Sequence, residues 1–526
     1  MSRFYKYTLL ILAFTLSGCS DKPLNNPYGK SFENEKVIYS SFQERPKHLD
    51  PARSYSSNEY AFIAQIYEPL FQYHYLKKPY QLVPLVAKEM PKLLYLDHNF
   101  KNTEDKNNIA YVKYTLKIKK GILYQNHPAF YKVENDYKYH NLNEIELDKI
   151  DTIQDFENES TRELVSDDYI YQIKRLADYK NHSPISGVMQ EYILGFSEYI
   201  KKIEEFKHSS NFDRVKFIKS NPIKGIKKID DYTFSIILKK QYPQFIYWLA
   251  MPFFSPMPWE GDLFYSQTEL QKKNITLNWF PIGTGPFKLT ENNPNLRMVL
   301  ERNKNFRMEV YPSLDDKIVR RKIISYNKDK VIPFIDKAIY SLEKEQIPRW
   351  NKFLQGYYDN SGIASDNYDQ AISLNNAGDI SLNNDLKDKG IYLTTATAAS
   401  TYYIGFNMLD SVVGGESYRS KLLRQAITIA IDYDEYISIF TNGRGILAQS
   451  PLPPGIFGYQ DGKRDYNKTL FKKKNGEIVK KDIEEARKLL TKAGYDNGID
   501  TKTGKPLILY FEATGAGADT YAFLNW

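Results

Sequence analysis

Residue types that could carry chemistry are few in this chain of 526 residues, and their spacing argues against catalysis. Two pairs of adjacent aspartates, Asp167-Asp168 and Asp230-Asp231, fall at a predicted helix start and a predicted turn, where aspartate caps backbone amides. Neither pair is spaced as an acid and a base. No GxSxG motif is present, which disfavours a hydrolase of that type.

Seven histidines are scattered along the chain without the HExxH spacing of a metal site. Each is typical of a surface or core histidine rather than a metal ligand. The seven are His48, His74, His98, His127, His140, His182 and His208. The sequence therefore predicts no metal site.

The segment PIGTGPFKL, residues 281–289, invites a phosphate-loop interpretation because it contains two glycines. A phosphate loop requires GxxxxGK[ST] at the start of a helix, whose N-terminal amides then face the phosphate. Here Pro286 follows the second glycine, and the next residues are typical of a strand. We therefore interpret Gly283 and Gly285 as turn positions and predict no catalytic residue and no cofactor.

Cys19, the only cysteine, ends the segment LSGC, which resembles a bacterial lipobox. It follows a short positive region with Arg3 and Lys6 and an apolar run too short to span a bilayer. The small residues before it leave room for a lipoprotein signal peptidase. A buried core cysteine is the alternative. The sequence predicts a cleaved signal at 1–18, lipidation of Cys19 and a flexible tether at 19–36.

The composition is that of a folded protein without a disulfide framework, because one cysteine cannot form a disulfide within the chain. Hydrophobic residues at 42% and aromatic residues at 15% suffice for a large core. The length suggests two to four domains or one large bilobal unit. The 72 basic residues are interleaved with 64 acidic residues, which is typical of a mixed solvated surface, so we predict no nucleic-acid partner.

Strand patterns are found along the whole chain. Residues 112–118 alternate apolar and polar side chains and predict a half-buried strand. Residues 231–238 repeat this pattern after a turn, and LILYF at 507–511 is a further predicted strand.

Helix patterns lie between the strands, and no repeat of 20 to 50 residues is evident. Residues 421–440 carry one apolar face and predict a helix. Residues 482–493 predict a second helix with a capping box, in which Asp482 caps, Glu485 reaches back, and Gly494 takes the C′ position. The mixture indicates the α/β or α+β class.

Seven segments occur in an order shared with a known family. They are HLDPA (48–52), IYEPLF (66–71), YTLKIKKGILYQNHPAF (114–130), SDDYIYQIKRLAD (166–178), PIGTGPFKL (281–289), VLERNKNFR (299–307) and LRQAITIAID (423–432). Each segment alone is weak evidence. Together, behind a lipobox, they resemble the large periplasmic solute-binding proteins of peptide ABC importers, extracellular solute-binding family 5. The segments GILYQNHPAF, IPFIDKAIYSLEKE and RWNKFLQGYYDNSGI resemble its Yej-type branch more than the classical oligopeptide-binding branch.

The resemblance implies an α/β fold of the bilobal periplasmic-binding-protein type II, large peptide-binding class, whose two lobes close on the ligand. Lobe one is expected at 37–338 with an inserted subdomain, and lobe two at 339–526. The implied function is that of a substrate-binding lipoprotein of an ABC importer. It captures peptides outside the cytoplasmic membrane, is held on the bilayer through Cys19, and delivers ligand to the permease and ATPase subunits. The expected location is periplasmic or at the cell surface.

Position within the family nominates ligand contacts in three segments. The end of the N-terminal strand, residues 183–192, and residues 401–407, aligned with an inner strand of lobe two, border the cleft in relatives. The nominated residues are Gln43, Glu44, Ser183, Met189, Tyr192, Tyr402 and Asn407. Met189 and Tyr192 are three apart and equally suit the core face of a helix. A packing role is equally open for Tyr402 and Asn407.

The chain ends at residues 512–526, where family members continue, so the resemblance implies an incomplete second lobe. In classical relatives, the acidic residue that pairs with the peptide's amino terminus lies in the part that follows. One alternative function is a non-transporting structural or surface-interaction lipoprotein, or an inactive truncated remnant, on the same scaffold. A third, an exported enzyme, is disfavoured because no nucleophile and base are evident.

Overall fold

The computed structural model describes residue 28 and residues 35–77, 79–207, 212–312, 329–363, 365–374, 380–462, 465–513 and 518–526. The predicted signal at 1–18, Cys19 and most of the predicted tether lie outside the described residues. The chain divides into two compact units. Unit 1 comprises Met1–Lys77 and Gln81–Gly362, and unit 2 comprises Lys78–Tyr80 and Ile363–Trp526.

The strands are numbered in chain order within the described ranges. Those of unit 1 are β1 (Val37–Phe42), β2 (Phe71–Tyr73), β3 (Leu82–Pro84), β4 (Lys92–Leu96), β5 (Tyr111–Lys117), β6 (Lys132–Val133), β7 (Asp136–Tyr137), β8 (Ile226–Asp230), β9 (Thr233–Leu238), β10 (Phe287–Asn293), β11 (Arg297–Arg302), β12 (Glu309–Val310), β13 (Val331–Ile332) and β14 (Lys337–Leu342). Those of unit 2 are β15 (Ile372–Leu374), β16 (Ile380–Leu382), β17 (Phe471–Lys474), β18 (Glu477–Lys480), β19 (Tyr495–Asp496) and β20 (Ile499–Asp500).

The α-helices are numbered in the same way. Those of unit 1 are α1 (Ser57–Ile66), α2 (Glu144–Leu147), α3 (Ser166–Leu176), α4 (Ser186–Tyr192), α5 (Phe196–Phe206), α6 (Arg214–Ser220), α7 (Phe245–Trp248), α8 (Trp259–Tyr265), α9 (Thr268–Lys272) and α10 (Gln346–Leu354). Those of unit 2 are α11 (Tyr368–Ala371), α12 (Asn384–Asp388), α13 (Tyr418–Ala430), α14 (Tyr433–Thr441), α15 (Ile483–Lys492) and α16 (Ala518–Asn525).

One four-stranded sheet of unit 1 has the order β1-β14-β11-β10, so β1 lies at its edge. β1 runs parallel to β14, with Val37 opposite Lys337, whereas β11 runs antiparallel to both of its neighbours. The lobe boundary predicted between residues 338 and 339 falls inside β14. Because β14 is hydrogen-bonded within this sheet, the chain remains in unit 1 through residue 339 and as far as Gly362.

A second four-stranded sheet has the order β4-β5-β9-β8, with all neighbours antiparallel. β5 confirms the alternation predicted at 112–118, since Val112, Tyr114 and Leu116 are buried and the residues between them are more exposed. β9 confirms the strand predicted at 231–238. In both strands the apolar face packs on the core. Apolar residues therefore recur at every second position, and the sequence shows this alternation.

The core of unit 1 surrounds α3, in which every residue except Asp167 is buried. A helix buried on nearly all sides normally carries apolar residues only. α3 instead buries three charged residues, Asp168, Lys174 and Arg175. Buried charges persist only when they are paired or hydrogen-bonded. The partners of these charges therefore decide how unit 1 is assembled.

The helix predicted at 421–440 in unit 2 is in fact two helices, α13 and α14, with a break at Ile431 and Asp432. The Asp432 carboxylate accepts hydrogen bonds from the backbone N–H groups of Asp434 and Glu435, so it begins a new helix. The apolar periodicity continued through the break, and the prediction of one helix was wrong because aspartate can also cap within such a run.

The helix predicted at 482–493 is α15. The Asp482 side chain accepts a hydrogen bond from Glu485 N, and Gly494 has φ +79°, as the C′ position requires. Glu485, however, does not complete the capping box. Its carboxylate accepts a hydrogen bond from Lys472 Nζ at 2.6 Å instead.

Two strands predicted in unit 2 do not form. Residues 401–407 and 507–511 are irregular, and Tyr510, the fourth residue of LILYF, is exposed. A strand exists only where another backbone supplies a run of hydrogen bonds, and among the described residues neither segment forms such a ladder: the Leu507 N–H donates to Gly498 O at 2.7 Å, but no strand follows. Both segments are rich in residues that favour strands. This propensity alone did not decide their structure.

Candidate functional site

The loop between β1 and α1, which carries HLDPA, is held by one carboxylate. Glu59, in the first turn of α1, is 3% exposed and accepts five hydrogen bonds of 2.9 to 3.2 Å. The donors are the backbone N–H groups of Lys47, His48, Tyr55 and Ser56 and the Ser54 hydroxyl. Burial raises the pKa of Glu59, but these hydrogen bonds outweigh burial and hold the pKa below its ordinary value.

Arg175 of α3 joins this loop to the core. Its guanidinium donates to both Asp50 carboxylate oxygens, at 3.0 and 2.6 Å. Nearby, Arg214 donates to Asp178 at 2.7 Å and to Asp262 at 2.5 Å. Burial raises the pKa of Asp262, but the Arg214 and Arg175 guanidiniums outweigh burial and lower it to about 2. The network therefore contains ionised carboxylates that are matched by guanidiniums.

Two further buried pairs connect distant segments in the same way. Arg307 binds the Glu68 carboxylate with two hydrogen bonds of 2.7 and 2.9 Å. Arg162 donates to Asp168 and to Glu260 at 2.6 to 2.9 Å. In these networks every carboxylate faces a guanidinium, so the buried charges are matched. These buried ion pairs hold the segments of unit 1 together, and we call them the frame of unit 1.

The outer edge of β1 presents backbone groups away from β14. At Tyr39 both outward backbone groups have a partner. The N–H donates to Asp359 Oδ2 at 2.7 Å, and the C=O accepts from Asp359 N at 2.9 Å. Further along, the Phe42 C=O accepts from Glu343 N at 2.9 Å and so points toward β14. Because a trans peptide holds its C=O and N–H on opposite sides, the N–H of Gln43 points outward.

We call the outward backbone groups of Tyr39, Ser41 and Gln43 the β1 edge. Ser41 lies two residues after Tyr39, so its C=O points to the same side as the Tyr39 C=O. No described residue makes a hydrogen bond to the Gln43 N–H or the Ser41 C=O. The Ser41 hydroxyl is also buried without a partner among the described residues. Beyond Asp359, the β1 edge therefore offers main-chain groups to a ligand.

The structure places both residues nominated at the N-terminal strand here. Gln43 follows the last residue of β1, and its backbone belongs to the β1 edge. Glu44 is exposed, and its carboxylate accepts a hydrogen bond of 2.6 Å from Asn58 Nδ2 in the first turn of α1. Glu44 thus joins the end of β1 to α1.

The segment 183–192 places its three nominated residues differently. Met189 is 0% exposed and packs in the hydrophobic core of unit 1, the packing role that the sequence left open for it. The Ser183 hydroxyl is buried without a partner among the described residues. Tyr192 is half-buried and stacks on Tyr242, with ring centroids 3.9 Å apart.

Three exposed tyrosines near α7 form a surface that the sequence analysis did not locate. Tyr60 of α1, Tyr73 of β2 and Tyr247 of α7 are 54%, 45% and 49% exposed. The Phe71 N–H donates to Leu249 O at 3.4 Å, which joins β2 to the end of α7. The chain's 43 tyrosines were the signal available in the sequence. Only the contacts between these elements show which tyrosines lie together.

The two residues nominated in unit 2 lie on irregular backbone. Tyr402 is 93% exposed. Asn407 is also exposed, and its side chain accepts a hydrogen bond of 3.0 Å from Leu409 N, as at the start of a turn. The structure thus does not supply the inner strand on which their nomination was based, and their contact with ligand stays a prediction.

His127 illustrates how the buried histidines are used. Its Nδ1 accepts from Ala129 N at 3.0 Å, and its Nε2 lies 2.8 Å from Tyr265 Oη. Burial lowers the pKa of His127 to about 3, so the ring is neutral at physiological pH. Within the described ranges, no three side chains of His, Cys, Asp or Glu are grouped as a metal ion would require. Nor does any helix in those ranges combine the length and the apolar character needed to cross a membrane.

Comparison with known families supports the resemblance found in the sequence. A family sequence model described as "Bacterial extracellular solute-binding proteins, family 5 Middle" matches residues 111–523. That match covers most of both units.

Individual relatives share about a quarter of their aligned residues with this chain. The chain is 25% identical over 346 residues to the dipeptide-binding protein of Escherichia coli K12, covering 64% of this chain and 49% of that protein. It is also 25% identical over 342 residues to heme-binding protein A of Haemophilus influenzae, covering 65% and 48%. The chain thus spans about half the length of the curated relatives it matches.

A solved structure gives the fold. The periplasmic binding protein DppA of Helicobacter pylori, in complex with the peptide STSA, matches with a TM-score of 0.51 and 18% identity, covering 90% of this chain and 69% of that one. At this identity the likeness shows the fold alone, which is the mixed α/β type II binding-protein fold.

Proposed function

Because the chain belongs to the bacterial extracellular solute-binding proteins of family 5, we propose that it captures peptides outside the cytoplasmic membrane and delivers them to an ABC permease and its ATPase. One observation carries the proposal: beyond Asp359, the β1 edge leaves the Ser41 C=O and the Gln43 N–H without partners among the described residues. Relatives named as a dipeptide-binding protein and as a complex with a peptide support it.

The β1 edge suits a peptide because main-chain groups recognise main chain. An extended peptide presents an N–H and a C=O on each side at every second residue, whatever its side chains are. A peptide that lies along β1 can accept from the Gln43 N–H and donate to the Ser41 C=O. Asp359 already binds the outward backbone N–H of Tyr39. A peptide can therefore pair only with the end of β1 beyond Tyr39. Such contacts tolerate many peptide sequences.

A pair of substitutions at Gln43 tests this mode of binding. Gln43→Pro removes the outward N–H without removing a bond to β14, whereas Gln43→Ala keeps the N–H and removes the side chain. If the backbone contact holds the peptide, Gln43→Pro weakens binding about fivefold, the value of roughly 1 kcal/mol for one hydrogen bond, and Gln43→Ala does not. Calorimetry with a pooled tripeptide library measures the difference.

The same assay separates the proposal from its alternatives. Hemin is included because heme-binding protein A matches the chain as well as the dipeptide-binding protein does. Tighter binding of hemin than of peptides would reject peptide capture. Binding of neither would favour a non-transporting structural or surface-interaction lipoprotein. Hydrolysis of the peptides during the assay would revive an enzyme.

The location of the protein is part of the proposal. We place it on the outer side of the cytoplasmic membrane, periplasmic or at the cell surface, held by a lipid on Cys19. This rests on the LSGC segment behind the apolar run in the sequence. Cys19→Ser is expected to leave an unlipidated precursor, and partitioning with Triton X-114 tests this. A processed variant that still enters the detergent phase would reject the anchor.

A further inference from the structure

A basic hairpin in unit 2 plays no part in the proposed function. Residues 468–481 contain six lysines and one acidic residue, Glu477. β17 and β18 pair within this segment, and we call residues 468–481 the lysine hairpin. We propose that the lysine hairpin docks on the phosphate headgroups of an anionic lipid bilayer. The inference adds an interaction surface and does not depend on peptide capture.

The tip of the lysine hairpin has a defined shape. Lys474 lies opposite Glu477, and the two residues between them form the turn. Asn475 has φ +52° and Gly476 has φ +90°, the left-handed values that a two-residue turn of type I′ requires. A hairpin closed in this way presents the residues at its tip with little loss of backbone freedom on binding.

Ion pairs hold the base of the lysine hairpin to two helices. Lys472 Nζ lies 2.6 Å from the Glu485 carboxylate of α15. Lys480 Nζ lies 3.0 Å from Asp432 and 3.0 Å from Asp434, at the N-terminus of α14. Both lysines are therefore matched by acidic groups of unit 2, and we do not count them in the lipid-binding surface.

The other four lysines have no such match. Lys468, Lys473 and Lys474 are exposed, and no described carboxylate lies within ion-pair distance of them. The Lys481 ammonium donates to Lys468 O at 2.6 Å, and a neutral carbonyl leaves the positive charge in place. Glu477, exposed opposite Lys474, offsets at most one of these charges. The lysine hairpin therefore presents a surplus of positive charge to solvent.

The side-chain chemistry of this surface favours lipid headgroups over a nucleic acid or a specific phosphate site. All six basic residues are lysines, whose ammonium is a compact point charge. Arginine is the residue that binds a single phosphate through two parallel hydrogen bonds, and the lysine hairpin has none. Point charges on long flexible side chains suit a layer of headgroups that has no fixed arrangement.

Two exposed isoleucines lie beside these lysines. Ile478 is 36% exposed and lies directly opposite Lys473, so the two side chains share one face of the hairpin. Ile483, the first residue of α15, is 50% exposed. Apolar side chains next to lysines add buried area when a surface enters the headgroup layer. An acidic protein or nucleic-acid surface would leave them without apolar contact.

The expected attraction is modest, which suits a second contact beside a lipid anchor. Each lysine near an anionic bilayer is expected to strengthen binding about fivefold. A lipid chain and a basic patch act together in membrane attachment. If Cys19 is lipidated, as the proposed location has it, the lysine hairpin gives unit 2 a contact of its own with the bilayer.

Flotation with lipid vesicles tests the inference. Every chain in the assay carries Cys19→Ser, so no acyl chain contributes and the N-terminal residues contribute equally. Vesicles of equal parts phosphatidylcholine and phosphatidylglycerol are expected to bind the chain more tightly than vesicles of phosphatidylcholine alone. Lys473→Gln combined with Lys474→Gln should weaken binding to the anionic vesicles about 25-fold, two factors of five. High salt should also weaken this binding.

Two further double variants are the matched controls. Lys473→Arg with Lys474→Arg keeps both charges and should keep the binding. Lys387→Gln with Lys389→Gln removes the same total charge from exposed positions at the end of α12. Because salt screens charges that lie far from the bilayer, this variant should change binding by about twofold or less. Melting followed by circular dichroism checks that all variants fold.

A second measurement needs no variant at the hairpin. Acetylation of lysines by sulfo-NHS-acetate, mapped by mass spectrometry, reports which ammonium groups a bilayer covers. The anionic vesicles are expected to protect Lys473 and Lys474, whereas vesicles of phosphatidylcholine alone are not. Exposed Lys387 serves as the internal reference and should react equally with both kinds of vesicle present.

The outcomes decide the inference separately from the proposed function. Equal binding to both kinds of vesicle would overturn it, as would anionic binding that the glutamine variant retains. Binding of polyglutamate without binding of anionic vesicles would also overturn it and would assign the lysine hairpin to an acidic protein surface. The glutamine variant should bind the pooled tripeptide library as the wild type does, so either proposal can fail while the other stands.

Discussion

At the scale of single residues, charged side chains from different family segments bind one another inside unit 1. Asp50 of HLDPA binds Arg175 of the 166–178 segment, and Glu68 of IYEPLF binds Arg307 of VLERNKNFR. Truncating one partner of such a pair leaves a buried charge alone. The sequence identified these segments by resemblance. The structure shows that their charges pair with one another inside unit 1.

Asp262 gives a testable consequence of this frame. Asp262→Asn leaves Arg214 without one of its two carboxylates and should lower the free energy of unfolding at pH 7 by about 3 to 5 kcal/mol. The pKa of Asp262 is depressed to about 2 in the folded chain, against an unfolded value near 4. Its stabilisation is therefore full above about pH 4 and is lost as the pH falls toward 2.

Urea unfolding at pH 7, 4 and 3 measures the difference between wild type and variant. The difference in free energy of unfolding between wild type and Asp262→Asn should be constant from pH 7 to about 4 and should become smaller below pH 4. Asp167→Asn is the control, because Asp167 is more than half exposed and pairs with Lys228 at the surface, where a pair contributes about 1 kcal/mol or less. A gap that widens on acidification would show that Asp262 is protonated in the folded chain.

At the scale of elements, the glycines of PIGTGPFKL are required for a different reason from the one predicted. Neither has a positive φ. A Cβ at Gly283 would lie 1.8 Å from the Ile66 carbonyl oxygen, and one at Gly285 would lie 2.7 Å from it. The Gly285 N–H also donates to Ile66 O at 2.8 Å. The segment therefore packs directly against the backbone at the C-terminal end of α1. The turn pattern in the sequence did not predict this contact.

Gly283→Ala is expected to destabilise unit 1 by about 3 kcal/mol or more, because the clash is with backbone that cannot rotate away. Thermal melting followed by circular dichroism measures the loss. Gly187→Ala in α4 is the matched control, since its Cβ would meet nothing within 4 Å and alanine favours a helix by about 0.5 to 1 kcal/mol. An unchanged melting temperature for Gly283→Ala would contradict the close approach.

At the scale of the whole molecule, the two units differ in how much apolar surface they bury. The core of unit 1 is one large cluster around α3 and both four-stranded sheets. A cluster in unit 2 consists of Leu422, Leu423, Ala493 and Tyr495. Several large side chains of unit 2, including Tyr402, Leu409, Phe457 and Tyr510, are largely exposed. Burial of apolar surface is the main stabilising term in folding, so we expect the described part of unit 2 to be less stable than unit 1.

Hydrogen-exchange mass spectrometry tests this difference directly. Backbone amides of residues 365–513 are expected to exchange faster than those of residues 35–362, because local opening follows the number of buried apolar contacts. A peptide ligand that contacts unit 1 should slow exchange at the end of β1. Equal protection of both units, with one cooperative melting transition, would show that the units fold as one body and that the prediction is wrong.

The sequence by itself determined what local pattern and shared order can determine. Period-two alternation predicted β5 and β9, and the Asp482 cap with Gly494 predicted α15, since these signals depend on neighbouring residues only. Seven ordered segments predicted the family. Local pattern failed at residues 421–440, where a capping aspartate divides the helix.

Only the tertiary structure decided the rest, because the deciding partners are distant in sequence. Whether 401–407 and 507–511 become strands depends on a pairing backbone that no local pattern contains. Gln43 gains its place in the candidate site from Asp359 and Glu343, about 300 residues later, which occupy the neighbouring backbone groups of β1.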